Sequence, residues 1–73
     1  MTRRELKQSI QRALYDRFGM APILKEIAFT HVFESVEHAG RIEADFRVNG
    51  ILYHFHDDPN SGPFIKGPFG GIE

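Results

Sequence analysis

There is no cysteine among the 73 residues. That absence excludes a disulfide framework, a thiolate zinc site and a cysteine nucleophile, so a reducing, cytoplasmic setting is expected. No stretch approaches the roughly 20 apolar residues of a bilayer span. The opening Met1-Thr-Arg-Arg-Glu-Leu-Lys puts charges where a secretory leader has its apolar run, and no membrane partner is expected. Serine is scarce: Ser9, Ser35 and Ser61 are the only three, and none sits in the strained turn of a nucleophile elbow. Ser61 lies close in sequence to His56 and Asp57, but nucleophile, base and orienting group normally come from separate elements. The glycines of Gly67-Pro-Phe-Gly-Gly are interrupted by proline and precede no helix, so they form no phosphate cradle. These gaps point away from an enzyme and from a resident cofactor.

What the chain does have is 41% hydrophobic residues, seven Phe and two Tyr, a composition that folds rather than stays disordered. Its length allows one domain. The formal net charge of −1 hides a segregation. Residues 1 to 25 hold six basic side chains against Glu5 and Asp16, whereas the remainder holds three against eight acids. Opposite ends of the domain should therefore carry opposite potential.

Thr2 followed by Glu5 is a capping box, which starts a helix. Leu6, Ile10, Ala13, Leu14 and Phe18 recur on one face and Gly19 stands at the left-handed cap, giving a helix over roughly residues 3 to 18. Arg17 falls within that apolar stripe, where a long stem lying over the core edge explains it better than an ion pair with a strand carboxylate.

Between Arg41 and Val48, Ile42, Ala44, Phe46 and Val48 alternate with Glu43, Asp45 and Arg47, and Asn49-Gly50 follows. Asn-Gly specifies a type I′ hairpin. A two-residue turn sets Val48 opposite Ile51, Phe46 opposite Tyr53 and Ala44 opposite Phe55 on the face the helix covers. It sets Arg47 opposite Leu52, Asp45 opposite His54 and Glu43 opposite His56 on the wet face.

Residues 23 to 37 fit a helical stripe through Ile23, Leu24, Ile27, Ala28, Val32 and Val36, yet Ile27, Phe29, Thr30, Val32, Phe33 and Val36 prefer strands. Read as a strand turning back through His38-Ala39-Gly40, the segment completes an α+β domain over residues 1 to 58. One amphipathic helix then covers a three-stranded antiparallel meander. Strict alternation places Ile27, Phe29 and Phe33 on one face of that strand and Ala28, Val32 and Val36 on the other. One helix cannot cover both, and uncovered apolar surface beside a sheet edge favours association. Residues 59 to 73 are dense in Gly and Pro and should form an irregular tail, packed on the domain or mobile. Phe64, Ile65, Phe69 and Ile72 make that tail a clamp for the uncovered face.

Three candidate sites follow. His54 and His56, with Glu43 and Asp45 across the hairpin, are residue types that suit a divalent metal such as zinc, against the ordinary reading of solvated cross-strand pairs. A carboxylate opposite a histidine also lets this face gain charge as pH falls. Arg4, Lys7 and Arg12 on the helix are the nucleic-acid candidates, against the ordinary reading of a solvated polar arc. Ile27, Phe29, Val32, Phe33, Phe64 and Phe69 are the interaction candidates. A non-enzymatic protein-interaction domain, self-associating through the first strand or docking another protein, is the expected function. A metal- or nucleic-acid-binding accessory protein is the alternative.

Overall fold

The computed structural model describes residues 2–34 and 40–69. Val36, the turn residues His38 and Ala39, and Ile72 lie outside these.

The helix forms where its caps dictate. Thr2 Oγ1 accepts from the Glu5 N–H at 3.1 Å, and Glu5 Oε1 accepts from the Thr2 N–H at 2.7 Å. Two of the donors that a first turn leaves unpaired are thus satisfied. α1 runs Arg3–Phe18 and ends on Gly19 at φ 69°, whose N–H donates to Tyr15 O at 2.9 Å. Its buried stripe is Leu6, Ile10 and Leu14, with Ala13 half-buried beside them. Phe18 is more exposed and tilts against Tyr53, ring centroids 5.9 Å apart. Arg17 lays its guanidinium over Phe18 and Phe64, at 5.5 and 5.2 Å from the ring centroids, as a stem crossing the core edge should.

Residues 23 to 34 resolve as one 3₁₀ turn, Leu24–Glu26, followed by strand β1, Ile27–Glu34. β2 is Ile42–Val48 and β3 is Ile51–Asp58, joined by Asn49 and Gly50 at φ 54° and 80°, the positive pair a type I′ turn needs. The hairpin register is the one read from the sequence, from Val48 opposite Ile51 to Glu43 opposite His56.

Two features depart from the expectation. The segment expected as an irregular tail contains a fourth strand, β4, Gly62–Phe69, antiparallel to β3, so the sheet is a four-stranded meander in the order β1-β2-β3-β4. Burial outweighs poor strand propensity here: Ile65 pairs with Phe55 and is 1% exposed, finishing the core. The prolines are tolerated because β4 is an edge strand and because the register shifts between Leu52 and His54, where Gly67 and Pro68 form a bulge. β4 therefore extends the sheet sideways and does not clamp its open face.

The second departure is a bulge in β1. Phe29 pairs with Phe46 but His31 pairs with Asp45, leaving Thr30 as the extra residue, with its hydroxyl donating to Asp45 O at 3.1 Å. The bulge reverses the alternation beyond it. Ile27, Phe29 and Val32 face the helix, whereas Ala28, His31 and Phe33 share the open face, so Phe33 and Val32 exchange the faces that strict alternation assigns them.

The core is the layer between α1 and the sheet: Leu6, Ile10 and Leu14 against Ile27, Ala44, Phe46, Val48, Tyr53, Phe55 and Ile65. Phe46 and Tyr53 stack at 5.6 Å, and the Tyr53 hydroxyl donates to Met20 Sδ at 3.6 Å. No helix among the described residues is long and apolar enough to cross a membrane.

Candidate functional site

Among the described residues no element covers the face of the sheet opposite α1, and strand pairing arranges its side chains in rows across four strands. One row runs Phe33, Glu43, His56, Phe64; the next His31, Asp45, His54, Lys66; the third Ala28, Arg47, Leu52, Phe69. Aromatic residues end the first row on both sides. Charge fills the centre.

His54 is the hub. Its Nδ1 lies 2.7 Å from Asp45 Oδ1 and its Nε2 lies 3.4 Å from Glu43 Oε1. Asp45 Oδ2 is 3.9 Å from His31 Nδ1. On the other flank Glu43 Oε2 lies 3.3 Å from Arg41 Nε, near enough for attraction but without the alignment of a hydrogen bond, and Arg41 Nη1 is 3.8 Å from Asp58 Oδ2. A continuous polar run thus leads from Asp58 through Arg41, Glu43, His54 and Asp45 to His31. Sequence reasoning found Glu43, His54 and Asp45 of this run from hairpin register alone. It missed Arg41, which stands just before β2, and His31, which β1 brings beside Asp45 past its bulge.

His56 is held differently. Its ring tilts against His54 at 5.9 Å and Phe64 at 5.3 Å. Its pKa is lowered from the ordinary 6.5, first because burial penalises the charged ring, then because the Arg41 and His54 charges oppose a further cation; Glu43 acts in the opposite direction. Of the two histidines placed together as metal ligands, then, His54 already has a carboxylate at each nitrogen. Among the described residues no group of three His, Cys, Asp or Glu is arranged to hold a metal ion.

The six interaction candidates divide. Ile27 is in the core and Phe29 and Val32 are packed against it, so these three are not available to a partner as exposed apolar surface. Phe33, Phe64 and Phe69 remain 47%, 38% and 44% exposed. The three nucleic-acid candidates also separate: Arg4 and Lys7 line one hollow on α1, and Arg12 lines another with Tyr15 and Asp16. No protein-family model matches this chain, and neither a curated protein nor a solved structure matches it.

Proposed function

We propose that this chain is a non-enzymatic interaction domain of a reducing, cytoplasmic setting that pairs with a second copy of itself along β1. The observation that carries the reading is the difference between the two edges of the sheet. β4 has Pro63, Lys66 and Pro68, the residues that stop an edge from templating another strand. β1 has neither proline nor lysine along its length and presents exposed Phe33.

The bulge makes β1 self-complementary. A two-fold axis between Thr30 and His31 pairs Ile27 with Glu34, Ala28 with Phe33 and Phe29 with Val32 of the second copy. Because the bulge switches parity, each such pair joins residues of the same face. Phe33 then covers the small Ala28 of its neighbour, and two four-stranded sheets become one of eight.

Light scattering over a concentration series should give a dimer mass for the natural chain and a monomer mass for Phe33→Lys, with helical and strand circular dichroism unchanged. Register is tested by disulfide trapping, since the chain has no cysteine of its own. Mixing Ala28→Cys chains with Phe33→Cys chains should trap a heterodimer that neither forms alone. A natural chain monomeric at every concentration, or equal trapping within each single variant, overturns the reading.

A further inference from the structure

The cations at the start of α1 gather around one depression. Arg3, Arg4, Lys7, Leu24 and Lys25 line a hollow of about 310 Å³. Residues three and four apart share a helix flank, which brings Arg3, Arg4 and Lys7 together, and the 3₁₀ turn supplies Lys25 from the facing side. Arg3 and Lys7 both stand over the ring of Phe29, the guanidinium carbon 5.3 Å and the ammonium nitrogen 5.8 Å from its centroid. One aromatic ring therefore holds two like charges near each other.

The nearest carboxylates in sequence, Glu5 and Glu26, keep their charge but form no ion pair with these cations. Glu5 Oε1 accepts from Thr2 N at 2.7 Å and Glu26 Oε1 accepts from Ile23 N at 2.8 Å, so each is engaged with a backbone donor. Among the described residues none of the four cations is in an ion pair. The N-terminus of α1 adds its own partial positive charge.

We infer that this hollow binds the phosphate backbone of a single-stranded nucleic acid. Arg3 and Arg4 supply planar forks that match phosphate oxygens, while Lys7 and Lys25 supply point charges on either side. A membrane surface is a poorer fit, because Leu6, Ile10 and Leu14, the apolar face of α1, are buried against the sheet and cannot enter lipid. A duplex is a poorer fit too, because it needs a broad basic face, and beyond residue 25 the chain carries eight acids against three bases. The inference does not depend on pairing through β1.

The test is fluorescence anisotropy with a labelled oligouridylate of about 12 nucleotides, a length within the usual span of single-strand sites. Four neutralised phosphates should give a log–log salt slope near −3, at ~0.7 per phosphate. Arg4→Gln with Lys25→Gln should weaken binding about tenfold or more and reduce that slope by about 1 to 2. Arg47→Gln with Lys66→Gln makes the same change in net charge away from the hollow and should stay within about twofold. All four positions lie outside the core, and circular dichroism verifies the fold of each variant. Absence of binding at about 25 mM salt overturns the site. Equal weakening by the two double variants overturns it in favour of net charge, and tighter binding to phosphatidylserine vesicles or to a 16-base-pair duplex than to the oligomer overturns the ligand class.

Discussion

His56 and Gly67 show how single positions on β3 and β4 respond to their neighbours. His56 has a folded-state pKa below 6.5, so folding favours its neutral form. Its contribution is therefore complete above the unfolded-state value and is lost as pH falls through the lower folded one. The charges facing it are Arg41, His54 and Lys66, which disfavour protonation, and Glu43, which favours it. The difference in melting temperature between the natural chain and His56→Gln should accordingly shift against the natural chain as pH drops below about 6.5. A difference that stays constant from neutral pH down to about pH 5 would refute this sign. Gly67 is constrained by space. At φ 140° a Cβ there would lie 2.6 Å from Tyr53 Cδ1 and 3.3 Å from Leu52 O. Tyr53 cannot retreat, because its ring is packed against Phe46 and Phe18. Gly67→Ala should cost about 1 to 3 kcal/mol in urea denaturation. Gly62→Ala is the control: that position also has positive φ, but a methyl there would meet nothing within 4 Å, and its cost should be smaller.

Among the elements, β4 has the clearest consequence for stability. Ile65 is its one core residue, and replacing a buried Ile by Ala typically costs about 2 to 5 kcal/mol. A domain of this size has roughly 4 to 11 kcal/mol to lose. A chain ending at Asp58 loses Ile65 together with the entire β3–β4 ladder, and should show no cooperative thermal transition by circular dichroism. A sharp transition in that shortened chain would mean that β4 is an accessory to the fold. β1 is bound on one side only, through β2, and its outer face is the edge on which self-pairing rests. The bulge at Thr30 fixes which of its side chains are offered: had alternation continued, Phe33 would face α1 and Val32 would take the open side.

At the scale of the molecule, basic charge is concentrated on one layer. Most of the basic residues are on or just after α1, while Glu43, Asp45 and Asp58 are on β2 and β3. The proposed pairing of two β1 strands would keep core-facing residues on one side, so both helices, and both basic hollows, would lie on the same face of a dimer. Two hollows on one face would bind a longer strand with an effective-concentration advantage, and the salt slope should steepen with oligomer length until both are occupied.

The sequence by itself determined what local chemistry controls. Thr2, Glu5 and Gly19 set the limits of α1, Asn49-Gly50 set the β2–β3 register, and that register alone brought His54 to Asp45 and His56 to Glu43. In each case the partners are few residues apart, so capping and turn geometry leave little freedom. Tertiary structure decided the rest. β4 is a strand because Phe55 needs Ile65 beside it, against the preference of two prolines and two glycines. Phe33 is exposed because a bulge accommodated β1 to β2, and a one-residue shift leaves no trace in hydrophobic periodicity. Lys25 joined Arg3, Arg4 and Lys7 only because a 3₁₀ turn folded back beside the helix, a contact between elements that pattern within either one does not encode.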